Sequence, residues 1–320
     1  MKVFSTTINK KDCNKIVSIL ESGDLGFGPN VNLFENEFAK FSKRDYNISM
    51  SSASACAFII FSYMKELYGT CDVYTTSLGF TSPAWAAKHF GHNLIFVDVN
   101  DDLQFCSKHY KSIRKDSKNK TILMPVLYGG VSTIRDFDPI GDEVIIVDSA
   151  HCVTPTINSD YIFFSFHPYK PICASDGGMI STDDKDASEY FRKYRNFGRT
   201  NTGSSYTIYS EGFKFYMNNL NATIALTQLS HYNRLLNQRK ENFNNLSDSF
   251  ALLSHDDKSS YYFATCLTEE ADSVINEHKL ARHYPMLHLM GYYRNGQSLP
   301  KLERIHNNIL NLPLYEMITL

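Results

Sequence analysis

Two residues stand out for their chemistry, an acid and a lysine. From Val144 to Thr182 the chain reads VIIVDSAHCVTPTINSDYIFFSFHPYKPICASDGGMIST. A short apolar run ends on Asp148, and a second, Tyr161 to Phe166, leads through His167 and Pro168 to Lys170. The small-residue turn Ser175-Asp176-Gly177-Gly178 then opens a third apolar run. Continuous apolar runs bounded by turn residues read as strands buried on both faces. In open α/β sheets chemistry gathers at the carboxyl ends of such strands, where Asp148 and Lys170 both fall. A lysine is a poor nucleophile at its free pKa, so a working one must be activated by its surroundings. The plain alternative is an ion pair that only holds the fold. A second stretch, Ser51-Ser52-Ala53-Ser54-Ala55, opens an apolar helix. Small residues at a helix start leave backbone N–H groups uncovered, which makes an anion site, although packing alone also explains them.

The elements that must carry these residues follow from the pattern of apolar positions. Residues 9–23 read as a helix stopped by Gly23, and GDLGFGPNVNLFENEFAKF as a glycine-rich turn and a second helix bearing Val31, Phe34, Phe38 and Phe41. Strands are expected at Tyr46–Met50, Val73–Thr76, Asn93–Val99 and Thr121–Leu127, the last running into Tyr128-Gly129-Gly130. Strands alternating with helical stretches argue for a mostly parallel α/β sheet flanked by helices. Beyond residue 182 come a charged helix (185–196), a polar loop (195–212) and a long helix (218–239). Residues 260–288 hold a strand pattern, YYFATCL, a helix and the motif HYPMLH.

Composition narrows the function. A chain of 320 residues buries one large domain and a smaller one. A net charge of −2 gives no reason to expect nucleic acid or an anionic membrane surface. No apolar stretch reaches membrane-spanning length, and the first residues lack the apolar core of a signal peptide, so a cytoplasmic protein is expected. The seven cysteines are odd in number and scattered, with no CxxC pair, which speaks against disulfides and a metal site.

The segment SFHPYK followed by SDGGMIST resembles the lysine motif of the DegT/StrS-type pyridoxal-phosphate-dependent sugar aminotransferases. Asp148-Ser149-Ala150-His151 resembles that family's pyridine-binding motif, and Phe34-Glu35 its opening aromatic–Glu pair. The resemblance covers nearly the whole chain and implies a fold type I aminotransferase with a smaller C-terminal α+β domain. It places a large domain over 1–235 and a shortened small one over 236–320, and reads HYPMLH as the small domain's closing strand.

It also implies roles. Lys170 would be the amine that joins the cofactor and moves the proton, and Asp148 the charge that keeps the pyridine nitrogen protonated. Ser52, Ala53 and Ser54 align with a turn that holds the cofactor phosphate, with Ala53 standing where the family has glycine. The hydroxyl of Ser165 would add a donor, and Phe80, just past a strand end, would lie on the ring. Taken alone, a phenylalanine such as Phe80 is normally a core residue. His151 falls where the family usually has glutamine; it can donate the same hydrogen bond, with a charge that would vary near neutral pH. Lys214 and Tyr216 stand where the family has an asparagine and an arginine, the asparagine reaching the neighbouring subunit's phosphate. Lys214 would meet that phosphate as a point charge.

The expected activity is transfer of an amino group, from glutamate, to a nucleotide-linked keto-deoxysugar by a homodimer alternating between pyridoxal and pyridoxamine phosphate. Two rivals remain at this point. One is a sugar dehydratase on the same fold, in which a histidine replaces the lysine. The other is an inactive cofactor-binding homologue with a regulatory role.

Overall fold

Each predicted strand of the main sheet forms, because alternate residues of one run feed two separate cores. The computed structural model describes residues 10–199 and 207–315. Residues 200–206 of the expected polar loop, residue 9 of the first helix and the closing 316–320 lie outside them. In chain order come α1 (Lys10–Ser22), α2 (Pro29–Ser42), β1 (Tyr46–Met50), α3 (Ala53–Tyr68), β2 (Cys71–Thr76), α4 (Thr81–His89) and β3 (Asn93–Val97). They are followed by α5 (Ser107–Ile113), β4 (Lys120–Met124), β5 (Val144–Asp148), β6 (Tyr161–Ser165), β7 (Gly178–Thr182) and α6 (Lys185–Tyr194). The chain continues through α7 (Asn219–Ser247), β8 (Ala264–Leu267), α8 (Ala271–His278), α9 (Pro300–Ile305) and β9 (Ile309–Leu312).

Seven strands form one sheet in the order β1-β7-β6-β5-β4-β2-β3. β3, β2, β4, β5 and β6 run parallel, and β7 lies antiparallel to both β6 and β1. In β6, Ile162 and Phe164 pack toward α2 and α7, while Tyr161 and Phe163 pack toward α3 and α6. This double burial produces the unbroken apolar runs of the sequence. Because β7 returns antiparallel, the link from β6 needs no crossover helix. The intervening residues instead fold over the carboxyl end of β6, closed by Phe166 N–H to Gly177 O at 2.9 Å and Ala174 N–H to Phe166 O at 2.8 Å. That loop carries Lys170.

α7 runs on to Ser247, past the expected end near Arg239. Its polar tail is held by packing: Leu246 is buried with Ala264, Cys266 and Leu310, against the small antiparallel sheet of β8 and β9. HYPMLH is not a strand. Met286 makes one isolated bridge to Leu78, and Leu287–Leu289 form a 3-10 turn. The segment is an extended arm laid along the large sheet's loops. Among the described residues no helix is long and apolar enough to cross a membrane.

The Phe34-Glu35 pair has a structural job. Phe34 is fully buried, and the Glu35 carboxylate accepts from Ser49 N–H at 2.9 Å and Ser49 Oγ at 2.8 Å. Arg195 Nη1 reaches it at 2.5 Å and Arg192 Nη1 at 2.8 Å. The cluster ties α2 and the end of α6 to β1, one residue before the strand gives way to the Ser51–Ser52 turn. Burial pushes the Glu35 carboxyl up, but the two guanidiniums outweigh it and its pKa lies below the ordinary glutamate range. Since the folded pKa is depressed, this stabilisation is complete above the ordinary range and is lost as pH falls through the lowered value. Glu35→Gln leaves Arg195, only 4% exposed, as an uncompensated buried charge. The expected loss is about 3–5 kcal/mol in urea unfolding at pH 7, shrinking in acid.

Candidate active site

The carboxyl ends of β1, β2, β4, β5 and β6 open on one cavity of about 500 Å³, and the small layer supplies its far wall. That size suits a cofactor-sized ligand. Ser52, Ala53, Ser54, Phe80, Asp148, His151, Ser165 and Lys170 all line it. The sequence-derived set therefore converges, with one exception. Lys214 is exposed, bridges to Asn196, and has its Nζ 5.7 Å from the Tyr216 ring; it does not line this cavity.

At the β1 end, Ser52 caps α3, its hydroxyl accepting from Ala55 N–H at 3.1 Å. The amides of Ala53 and Ser54 belong to the first turn of α3 and have no helical acceptor, which favours an anion there. The turn is held from beneath by Gly178. A Cβ on Gly178 would sit 2.6 Å from the Ser52 carbonyl carbon and 2.7 Å from Ala53 N, so β7 approaches this closely only as glycine. The second glycine of the SDGG turn thus serves the first site, a link that spacing alone does not reveal.

Asp148 ends β5, 4% exposed, with one carboxylate oxygen accepting from Ala150 N–H at 3.0 Å. Burial raises its pKa to about 6, partly offset by that N–H and by Lys170. Lys170 sits half-buried at the base of the cavity. Burial lowers its pKa to about 7, against the pull of Asp148. No direct ion pair joins the two, so the plain structural reading of this pair fails. Burial instead shifts both pKa values toward neutrality, a combination typical of reactive sites.

His151 is 4% exposed, and burial, with Lys170 and His283 nearby, pushes its pKa well below the usual histidine range. The expectation that its charge varies near neutral pH is therefore corrected: the imidazole is neutral. Its Nε2 meets the Tyr284 hydroxyl at 3.1 Å, while its Nδ1 is buried with no partner in the protein. A buried polar atom without a partner calls for one, and a bound ligand is the natural candidate in a cavity wall. Phe80 stands as the residue just before α4, 59% exposed, with its ring 6.2 Å from that of Tyr284. An apolar face so open at a cavity is available for stacking, and the core alternative does not hold for it.

Sequence reasoning missed the far wall. Tyr262, Lys279, His283 and Tyr284 line the cavity from the small layer, and Tyr169 and Asp176 from the Lys170 loop. HYPMLH flagged the neighbourhood of His283 and Tyr284, but nothing in periodicity pointed them at Lys170. Tyr262 is placed by backbone bonds: Tyr262 N–H to Gly129 O at 3.0 Å and Ser260 N–H to Gly130 O at 2.7 Å. Gly130, at φ +89, lets this segment close in, since a Cβ there would lie 2.8 Å from His151 O and 2.9 Å from Tyr262 N.

An anion-binding helix start, a buried acid, a lysine of lowered pKa, an open aromatic face and an unpartnered imidazole nitrogen together fit pyridoxal phosphate. Comparison with known proteins agrees. The DegT/DnrJ/EryC1/StrS aminotransferase family matches residues 6–320. The spore coat polysaccharide biosynthesis protein SpsC of Bacillus subtilis (strain 168) is 24% identical over 355 aligned positions, covering 96% of this chain and 90% of SpsC. Among solved structures, the PLP form of Spr1654 from Streptococcus pneumoniae is similar with a TM-score of 0.86 at 23% identity, over 99% of this chain and 94% of that one. DesI, solved in the presence of its TDP-sugar product, gives a TM-score of 0.83 at 20% identity, over 99% and 88%. At such identities the solved structures establish the fold, which is that of the pyridoxal-phosphate aminotransferases.

Proposed function

Because the chain belongs to the DegT/DnrJ/EryC1/StrS aminotransferase family, we propose that it moves an amino group from glutamate to the keto carbon of a nucleotide-linked deoxysugar, for amino-sugar and polysaccharide biosynthesis. It is a pyridoxal-phosphate-dependent aminotransferase. The sugar reading draws support from SpsC, named for spore coat polysaccharide biosynthesis, and from DesI, named with its TDP-sugar product. The observation that carries the reading is Lys170, an amine of pKa about 7 sharing one cavity with the buried Asp148. A dehydratase of this fold has histidine in place of the lysine, and an inactive homologue has no need of either group. Purified protein, glutamate and a panel of nucleotide ketosugars, read by mass spectrometry for aminated sugar and 2-oxoglutarate, tests it. Loss of water from the sugar without amination would assign the dehydratase activity; no conversion of any donor or sugar by cofactor-loaded protein would overturn the proposal.

When bound, pyridoxal phosphate supplies a carbonyl carbon that carries the amino group and a protonated ring that draws electrons from it. The chain's residues do the rest. The Ala53 and Ser54 amides and the Ser165 hydroxyl would hold the phosphate, Phe80 would lie on the ring, and the neutral His151 would donate to its phenolic oxygen. Asp148 would hold the proton on the ring nitrogen. Lys170, close to half protonated at neutral pH, can take a proton and return it with little bias either way, the condition general acid–base work requires.

The same reading divides the chain near residue 235 into a large and a small domain and makes the working unit a homodimer in the cytoplasm. The dimer has a physical argument. Trp85 and Phe213 are each more than a third exposed and Phe58 packs against both, an aromatic surface beside Lys214, and the exposed Phe197 is joined to it by Phe197 N–H to Phe213 O at 3.2 Å. Such patches mark interaction surfaces. Lys214 would then reach the phosphate in the partner's site. Lys214→Ala is expected to weaken cofactor binding about fivefold, as a partly exposed pair worth about 1 kcal/mol allows. Lys214→Asn should recover part of it, with cofactor titration by fluorescence as the measurement. An alanine variant of unchanged affinity would make Lys214 a plain surface lysine.

A further inference from the structure

The Lys170 Nζ lies 4.5 Å from the centroid of the Tyr262 ring, within cation–π range. Among the described residues no other aromatic face lies so close to this amine. Tyr262 is itself 6% exposed and fixed on every side. Its ring packs on His151 at 4.3 Å with 33° between planes, and its hydroxyl hydrogen-bonds that of Tyr284. Its backbone N–H is bound to Gly129 O, and Ser260, two residues before it, donates to Gly130 O and accepts from Val153 N–H at 2.8 Å. A ring this constrained is a rigid platform, whereas the lysine is a flexible four-carbon stem.

We propose that Tyr262 is a positioning residue for the reacting amine: the face of its ring is where the Lys170 ammonium rests whenever it is not bonded to cofactor. The inference rests on the aminotransferase reading of the site but asks a question of the chain alone. Transamination leaves the lysine free for half of every cycle, and it must then be able to hold a proton and stay within reach. The cavity works against both, since burial disfavours the ammonium and no carboxylate touches it. The negative face of an aromatic ring favours the charged form without forming a bond that would have to be broken. It therefore adds to the pull of Asp148 from the end of β5. The other titratable groups around the amine are His151, His167 and His283, Asp176 at the mouth, and the Tyr284 hydroxyl. None of them supplies a negative charge in contact with Nζ.

The test uses the full-length protein freed of cofactor, with Lys170 acylation by an amine-specific reagent followed by peptide mass spectrometry across pH 5.5 to 9. Tyr262→Leu removes the ring face, and Tyr262→Phe removes only the hydroxyl. The Leu variant is expected to shift the labelling midpoint down by about half to one pH unit, making Lys170 about three- to fivefold more reactive at pH 6. The Phe variant should keep the wild-type midpoint. A Leu profile superimposable on wild type overturns the proposal, as does a Phe shift equal to the Leu shift. Should the Leu variant fail to fold, a fluorinated phenylalanine at position 262 keeps the shape while cancelling the negative ring face, and must lower the midpoint relative to Tyr262→Phe. Cofactor uptake, measured separately, reports on the aminotransferase reading; the labelling profile does not depend on it.

Discussion

Lys170→Ala stops amino transfer, by about ten-thousand-fold or more, while the protein still takes up pyridoxamine phosphate. The size of the loss follows from what leaves with the side chain. In the proposed mechanism the amine is both the group that joins the cofactor and the base that moves the proton, and its nearest titratable neighbours do not replace it. His151 is held neutral, and Asp148 is committed elsewhere. Binding survives because the α3 amides, Ser165 and Phe80 are untouched. Stopped-flow single turnovers and a fluorescence titration of the aminated cofactor measure the two quantities separately. Residual turnover within a hundredfold of wild type would move the proton-carrying role to another residue.

The same lysine makes a second expectation about stability, and its sign is fixed by the direction of the shift. Burial lowers the folded amine to about 7, whereas an unfolded lysine titrates at about 10.4. Between these values the unfolded chain holds more protons, so apoprotein stability rises with pH; below about 7 the penalty for burying the charge is complete. Lys170→Met removes that penalty. Its apoprotein should melt above wild type at pH 7, each kcal/mol relieved being worth roughly 1–2 °C for a chain of this length, with the difference closing toward pH 10. This is the trade between stability and a strained functional group. A Met variant that melts with wild type at both pH values would mean the amine is better solvated than its surroundings imply.

How much of this was legible beforehand differs between the two walls of the cavity. The strand-end wall was readable because double-sided burial writes itself into the sequence: VIIVD and YIFFS can hardly be anything but strands, and Asp148 and Lys170 follow directly from where they stop. The Ser51–Ala55 run was readable as a helix start with uncovered N–H groups because small residues before an apolar helix have a local meaning; the cap made by the Ser52 hydroxyl was not. The far wall has no such local signature. Tyr262 lies in a run that reads as an ordinary strand, yet the strand starts only at Ala264, and Tyr262 is pulled aside by two bonds to the Gly129–Gly130 turn. Lys279 ends a short helix in a left-handed conformation, at φ 51, which no periodicity announces. HYPMLH was mistaken for a strand because its extended backbone is the same in both cases; only its partner differs, and partners are tertiary facts. The neutrality of His151 was invisible for the same reason, being set by burial under Tyr262 and Tyr284.

Asp148→Asn is expected to cut amino transfer by about a hundred- to a thousandfold while changing cofactor affinity by less than about tenfold. The carboxylate accepts one hydrogen bond, from Ala150 N–H, and an ionised carboxyl has about four acceptor sites. It therefore has capacity left to face a protonated ring nitrogen. Although burial raises its pKa to about 6, roughly ten in eleven copies are ionised at pH 7. The charge is thus present but easily lost, and this gives the experiment a second readout. As pH falls through about 6, wild-type Asp148 takes up a proton and ceases to favour a cationic ring, so cofactor binding weakens. The cofactor phosphate also gains its second proton at about pH 6, a contribution common to both proteins. Only the difference between the two affinity profiles belongs to Asp148, and it should be present above pH 7 and vanish as pH falls below 6. If the asparagine variant loses affinity and turnover by the same factor at every pH, Asp148 serves only to hold the cofactor in place, and the electron-withdrawing role assigned to it fails.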